Sequence, residues 1–246
     1  MAERGNFTNT VAGPSAVARR PARRRVPVST FVAAALAGDR GKATAIAREF
    51  MQDKNSRATV ISDLFQGAQQ QVADSWHVGL ATAADEYRVS LAIEEAMNAL
   101  PPPEPSVARG SGPRILLATL APERHDLGLR LVGMALADDG WSVDIAYATD
   151  PEELVARAYQ TGVALVGVSA TYVTRRTQLQ LTGVAGSLHA IGLPLIVGGA
   201  AFVRVPDLMA EVRADALAPE ARSGVILARR LRVTTRPPWT GHARAS

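Results

Sequence analysis

RILLATLAPERHDLG, residues 114–128, joins an apolar run typical of a buried β-strand to a polar loop that contains His125, one of only four histidines. Four further apolar runs have the same character and lie at residues 141–149, 163–170, 193–200 and 214–219. Amphipathic stretches that favour helices separate these runs. Strands alternating with helices predict a parallel sheet covered by helices on both faces. We therefore expect an α/β fold over residues 113–233.

The chain before this strand predicts a separate helical unit. Residues 101–112, PPPEPSVARGSG, are rich in proline and small residues, as is typical of a linker between domains. Upstream, residues 28–100 predict a four-helix bundle with short turns. The helices are expected at residues 28–38, 41–52, 56–76 and 82–100. One apolar stripe of the third helix is expected to face the bundle core and consists of Val60, Leu64, Ala68, Val72 and Trp76.

The positive charge lies at the amino terminus. Residues 1–25 hold six arginines against one glutamate, a balance of +5; the whole chain carries +4, so the remaining residues carry −1. Residues 1–27 are therefore expected to be a disordered basic tail, able to make weak contacts with nucleic acid. Residues 234–246 are expected to be a second tail.

Composition excludes several classes of site. The chain has no cysteine, which excludes disulfides, thiolate metal sites and covalent thioether attachment of a cofactor. No apolar run reaches the roughly 18 residues that span a bilayer, so we expect a soluble, cytoplasmic protein without a membrane partner. Neither GxGxxG after the first strand nor GxxxxGK[ST] is present, which disfavours dinucleotide and P-loop sites. No Ser/His/Asp set is recognisable, so no catalytic residue is predicted and an enzyme is not expected.

Three loops that leave the strands carry the candidate site. They contain His125, the segment Ser169-Ala170-Thr171-Tyr172, and Gly198-Gly199. In a parallel sheet the ligand lies outside the carboxyl ends of the strands, so these loops should converge there. Glycines allow close approach of the backbone to a large flat ligand. Tyr172 and Phe202, each just beyond a strand, are further candidates to line such a site.

The segment Glu123-Arg124-His125-Asp126-Leu127-Gly128 resembles the Asp-x-His-x-x-Gly signature of cobalamin-binding domains. The resemblance implies a Rossmann-like, flavodoxin-like domain in which His125 is the lower axial ligand of cobalt and Gly128 leaves room for the corrin. It also implies that the nucleotide tail is held by Ser169, Thr171, Gly198 and Gly199. The family's aspartate is Glu123 here, one methylene longer, which puts its hydrogen bond to the imidazole in question.

The helical half is similar to the bundle that caps the upper corrin face in cobalamin-dependent photoreceptors and related regulators. Trp76-His77-Val78-Gly79 resembles their Trp-x-x-Gly element, and Glu86-Tyr87 stands where they have Glu-His. The resemblance implies that Trp76 and Glu86 lie beside the upper axial group. Tyr87 replaces the histidine, so it could pack on a chromophore but could not ligate cobalt.

The leading hypothesis is a light- or cofactor-responsive regulatory protein without a DNA-binding domain of its own. It would hold cobalamin, as adenosylcobalamin, between the bundle and the sheet. The altered chromophore would then change contacts with a transcription factor or other protein partner, or the assembly of a homo-oligomer.

Two alternatives stay open. The first is a corrinoid methyl carrier of a methyltransferase system; the Trp76 and Glu86 pattern speaks against it, because a carrier needs an accessible upper face. The second keeps the sensor role with another tetrapyrrole, since Glu123 and Tyr87 depart from the cobalamin pattern. Biliverdin would then be held noncovalently, or haem would be bound, with His125 ligating iron or hydrogen-bonding pyrrole nitrogens.

Overall fold

The structure is a computed structural model that describes residues 26–53, 55–102 and 112–234. Most of the predicted tails and linker lies outside the described residues. Within the described part of the chain, no helix is both long and apolar enough to cross a membrane.

Helices occupy the four stretches predicted before the linker. They are α1 (Val28–Leu36), α2 (Arg40–Gln52), α3 (Arg57–Thr59) continued through a π-helical turn (Val60–Phe65) into α4 (Gln66–His77), and α5 (Ala83–Ala99). Polar residues begin three of them: Asp39 accepts from the Lys42 backbone N–H, Ser56 from that of Thr59, and Thr82 forms a capping box with Asp85.

The predicted core stripe of the third helix is correct except at its end. Val60, Leu64, Ala68 and Val72 are buried, whereas Trp76 is 41% exposed. The prediction that Trp76 faces the core is therefore wrong. Each four-residue step advances about 40° beyond a full turn of a 3.6-residue helix, so the stripe rotates away from the core over several steps.

A five-stranded sheet forms the second half, and all five predicted strands are confirmed. The strands are β1 (Arg114–Leu120), β2 (Ser142–Thr149), β3 (Leu165–Ser169), β4 (Leu195–Gly198) and β5 (Ala216–Ala218). Their order is β2-β1-β3-β4-β5, and every neighbouring pair is parallel. The order reverses between β1 and β3, which is where ligands bind in sheets of this topology.

Helices cover both faces of the sheet. They are α6 (Leu127–Asp138), α7 (Pro151–Thr161), α8 (Arg175–Ala190), the short α9 (Ala200–Arg204) and α10 (Leu208–Glu211), and α11 (Ala221–Thr234). Residues of β1 alternate between the faces: Ile115 and Leu117 pack with α6 and α11, while Leu116 and Ala118 pack with α7 and α8. This arrangement is the predicted α/β fold.

The helices α1 to α5 pack on the outer side of α6 and the start of α11. Leu127, Leu131, Ala135 and Ala221 are buried in the same apolar core as Phe31, Ile61, Phe65 and Ile93 from the amino-terminal helices. The two halves of the chain therefore share a core.

Two polar contacts fix the direction of α5 relative to α6. Arg130, near the start of α6, donates to Glu94 in the middle of α5 at 2.8 Å. Arg57 donates to the Pro101 carbonyl, just past α5, at 2.7 Å and lies 3.2 Å from Asp138 at the end of α6. Since both contacts advance in the same sense, α5 and α6 run parallel.

Candidate functional site

The carboxylate of Glu123 holds the imidazole of His125 at the carboxyl end of β1. Glu123 Oε1 lies 2.6 Å from His125 Nδ1 and also accepts the backbone N–H groups of Arg124 and His125. The extra methylene of Glu123 therefore does not abolish the hydrogen bond that the sequence put in question. An ionised carboxylate can only accept, so Nδ1 carries the proton and the lone pair lies on Nε2. In the neutral tautomer that this contact selects, Nε2 of His125 is free and suited to a metal.

Glu123 also links two loops. Its second oxygen, Oε2, accepts the backbone N–H of Thr171 at 2.8 Å, so one carboxylate joins the loop after β1 to the loop after β3. Burial raises the pKa of Glu123, but the hydrogen bonds from His125 and Thr171 outweigh it and hold the pKa below its ordinary value. The acid is consequently ionised near neutral pH.

The predicted glycine positions differ in what surrounds them. Gly199 has φ +92°, and a Cβ there would lie 2.4 Å from the Ala170 carbonyl and 2.8 Å from Ser169 Oγ. A Cβ on Gly198 would lie 2.7 Å from the Ala218 carbonyl. Only glycine fits at these two positions, which lets β4 and its loop approach β3 and β5 closely.

Gly128, in the first turn of α6, is different. A Cβ at this position would meet no atom of the protein within 4 Å. The space beside Gly128 is therefore open, on the same loop and helix start that carry His125. This opening is compatible with a large ligand that lies against the helix.

Tyrosines flank the His125 loop on both sides. Tyr172, after β3, places its ring centroid 5.7 Å from that of His125 at an interplanar angle of 69°. Tyr147, near the end of β2, is half exposed; burial, together with the charge of Asp126, raises the pKa of its phenol. The sequence analysis missed Tyr147; its place at the end of a strand next to β1 is the signal that points to it.

Phe202 is fully buried, so the expectation that it lines the site is wrong: the turn of α9 directs it into the core.

The residues predicted to cap the ligand lie at the tip formed by the end of α4 and the start of α5. Ala83 precedes Glu94 by eleven residues, whereas Leu127 at the start of α6 precedes Arg130, the partner of Glu94, by three. Because α5 runs parallel to α6, this tip projects roughly 12 Å beyond the start of α6, on the side of the carboxyl edge. Trp76 and Tyr87 on the tip are exposed, and Glu86 is partly buried. Among the described residues, no hydrogen bond joins these three side chains to the loops at the sheet edge.

The structure thus gathers one group of predicted residues and leaves the other apart. Brought together at the carboxyl edge are Glu123, His125, Gly128, Ser169, Thr171, Gly198 and Gly199. The cap residues lie on the tip formed by the end of α4 and the start of α5. Within the described ranges, no cluster of three or more His, Asp or Glu side chains could hold a metal by itself. A metal at His125 would therefore need most of its ligands from a cofactor.

A separate groove lies on the far face of the sheet. It runs between α7 and α8, has a volume of about 680 Å³ and is lined by residues that include Tyr159, Leu179 and Gly183. None of the predicted site residues borders it. The groove therefore belongs to another part of the surface.

Comparison with known proteins identifies the class of the α/β half. Residues 113–225 match the family model of the B12 binding domain. This chain is accordingly a protein with a cobalamin-binding domain, as the motif around His125 predicts.

Two curated relatives match part of this chain. The methylmalonyl-CoA mutase large subunit of Propionibacterium freudenreichii subsp. shermanii is 41% identical over 63 residues, which are 25% of this chain and 9% of that protein. The probable methylmalonyl-CoA mutase large subunit of Mycobacterium bovis is 32% identical over 96 residues, 37% of this chain and 12% of that protein. The chain thus spans about a tenth of the length of these relatives.

One solved structure is similar over both halves. The monomethylamine corrinoid protein of Methanosarcina barkeri superposes with a TM-score of 0.66 and 16% identity, covering 82% of this chain and 96% of that one. At this identity the likeness shows the fold alone. It extends across the amino-terminal helices as well as the sheet.

Proposed function

We propose that this protein is a corrinoid carrier that holds cobalamin at the carboxyl edge of its sheet and presents it to a partner methyltransferase. The observation that carries the proposal is the 2.6 Å contact between Glu123 and His125 Nδ1, which leaves Nε2 free to ligate cobalt. The similarity to the monomethylamine corrinoid protein, which covers almost all of that chain, supports the carrier role.

The residues present fit a corrinoid. An imidazole is a good cobalt ligand, and the open space beside Gly128 suits a flat macrocycle. Ser169, Thr171, Gly198 and Gly199 would hold the nucleotide tail. When bound, the corrinoid would supply a cobalt centre that takes up and releases a methyl group.

The chain's own groups would tune and position that centre. Glu123 orients the imidazole. By accepting a hydrogen bond from Nδ1–H, it also raises the basicity of Nε2. The amino-terminal helices would form a four-helix bundle over residues 28–100, followed by a linker over 101–112 and the cobalamin domain over 113–233. The tip formed by the end of α4 and the start of α5 would lie beside the upper corrin face.

The tip also bears on how a partner reaches the cofactor. Trp76 and Tyr87 are exposed, and no hydrogen bond among the described residues closes the tip onto the sheet edge. A methyltransferase could then approach the upper face without displacing packed side chains. This accessibility favours the carrier over a permanently capped chromophore.

A second candidate is the light- or cofactor-responsive regulator with adenosylcobalamin, biliverdin or haem and a transcription-factor partner. One observation favours it: Trp76 lies on the exposed tip rather than in the helical core. An exposed tryptophan at that place is suited to contact with a chromophore.

Reconstitution tests the site. The purified protein is offered cobalamin, haem and biliverdin separately, and the absorbance that remains after gel filtration is measured. Wild type should retain cobalamin, and His125→Ala should weaken retention and change the spectrum. His189→Ala is the matched control, because His189 Nε2 also pairs with a carboxylate, 2.9 Å from Asp215, but at the end of α8. Equal spectra and retention for wild type and His125→Ala would remove His125 as the axial ligand.

Illumination and methylation separate the two functions. A carrier loaded with cobalamin and reduced should react with iodomethane at a rate that Trp76→Ala leaves unchanged, and its oligomeric state should not respond to light. A sensor loaded with adenosylcobalamin should change its size-exclusion profile after illumination, and Trp76→Ala should alter that response. Retention of biliverdin or haem with no uptake of cobalamin would overturn the corrinoid proposal.

A further inference from the structure

We propose that Tyr172 is a positioning residue for His125: it fixes the plane of the imidazole so that Nε2 is held toward the ligand. The inference rests on the proposed role of His125 as a cobalt ligand. The observation behind it is the edge-on contact of the two rings, with centroids 5.7 Å apart.

The imidazole needs a second point of support. The His125 side chain is 57% exposed, and its hydrogen bond to Glu123 engages only Nδ1. A ring held at one atom can still pivot about that atom, which would move Nε2. An aromatic ring in T-shaped contact with the imidazole restricts this pivoting.

The position of Tyr172 is itself fixed by the same carboxylate. Ala118 of β1 pairs in register with Val168 of β3, which brings the loops that follow these strands side by side. Glu123 Oε2 then accepts the N–H of Thr171, the residue directly before Tyr172. Glu123 therefore anchors both the imidazole and the backbone that carries its aromatic neighbour.

Tyr172 has little other structural role. It is 53% exposed, whereas Val168 and Ala170 in the same segment are buried. A large aromatic residue that is half exposed contributes little to the core, so its replacement should leave the fold intact. Its ring packs against His125, the proposed ligand of cobalt.

The test measures ligation rather than activity. The proteins are loaded with cobalamin, reduced to the paramagnetic cobalt state, and examined by electron paramagnetic resonance with and without isotope-labelled histidine. A change of the nitrogen splitting on labelling reports the fraction of cobalt bound to a protein histidine. Tyr172→Ala should lower the ratio of cobalt that carries the histidine ligand to cobalt that does not, about two- to tenfold. This is the range expected for one aromatic pair.

Three variants complete the design. Tyr172→Phe should match wild type, because it keeps the ring that packs against the imidazole. Tyr159→Ala, at a tyrosine of similar exposure on α7, should also match wild type. Tyr172→Leu, which keeps bulk but lacks the ring, replaces the alanine variant if that protein does not fold.

The outcomes distinguish this inference from the proposed function. If wild type shows histidine ligation and neither Tyr172→Ala nor Tyr172→Leu lowers it, the positioning role is overturned while the cofactor site stands. If histidine labelling leaves the wild-type signal unchanged, as it should in His125→Ala, then His125 does not ligate cobalt and the proposed function is wrong at this residue. Loss of ligation in Tyr172→Phe would instead assign the effect to the hydroxyl and overturn the packing argument.

Discussion

Replacing Glu123 by glutamine should destabilise the fold measurably even without a cofactor. The carboxylate accepts four N–H groups at 2.6 to 3.0 Å, from Arg124, His125 twice, and Thr171. Its side chain is only 12% exposed, so water competes weakly for these bonds. Glutamine has a single acceptor oxygen, and its NH₂ group would face one set of donors.

The expected loss follows from ordinary hydrogen-bond energies. A bond to a charged group is worth about 1.5–3 kcal/mol and a neutral one about 1, and a buried N–H without a partner costs about 1–3 kcal/mol. Glu123→Gln should therefore lower the free energy of unfolding by about 2–4 kcal/mol at pH 7. With an m-value of about 2 kcal/mol/M, the urea midpoint falls by about 1–2 M.

The loss should also depend on pH in a defined sense. Because the folded pKa of Glu123 is held below its ordinary value, its stabilisation is fully present above the unfolded pKa of about 4.3 and is lost as pH falls through the folded pKa. The difference between wild type and Glu123→Gln should thus be equal at pH 7 and 5 and smaller at about pH 3.5.

The assay is urea unfolding followed by circular dichroism at these three pH values. Glu152→Gln, at an exposed glutamate of α7, is the matched control and should change stability by less than about 1 kcal/mol. A wild-type midpoint for Glu123→Gln at pH 7, or a difference that does not shrink in acid, would refute the reasoning.

Further substitutions separate folding from binding and test the contact between the halves. Gly199→Ala should cost more than about 2 kcal/mol in urea unfolding, because φ is +92° and the new Cβ would lie 2.4 Å from the Ala170 carbonyl. Gly128→Ala should keep or slightly raise stability, since nothing lies within 4 Å, yet reduce cobalamin retention on gel filtration; unchanged retention would contradict contact with the corrin. Arg57→Met should cost about 3 kcal/mol, because it leaves Asp138, whose pKa is raised by burial despite Arg57, as a buried acid without its cation. The double variant Arg57→Met/Asp138→Leu should recover most of the lost stability. Equal urea midpoints for the single and double variants would contradict the cost of the unpaired acid.

The sheet could be predicted because its strands are buried on both faces. Such strands read as continuous apolar runs, and the intervening amphipathic stretches leave few other arrangements. The exposure of Trp76 was harder to predict, because a stripe at four-residue spacing does not show where the packed core ends. The π-helical turn at Val60–Phe65 has no signal in the apolar pattern of its residues.

The site could be predicted only as far as the motif reaches along the chain. Spacing relates Glu123 to His125, which are two residues apart. The contacts with Thr171 and Tyr172 span more than 45 residues and depend on the register of β1 with β3. Sequence alone does not give that register, so these contacts emerge only from the fold.

The departure at Glu123 shows how chain length and fold act together. An aspartate at this position would place its carboxylate about one methylene nearer its own backbone. Here the longer side chain reaches His125 with one oxygen and the Thr171 N–H on the neighbouring loop with the other, both within 2.8 Å. Glu123 therefore both supports the imidazole and links the two loops across the switch point of the sheet. Because the two loops share one carboxylate, a change in either loop should be felt at the Nε2 atom proposed to hold cobalt.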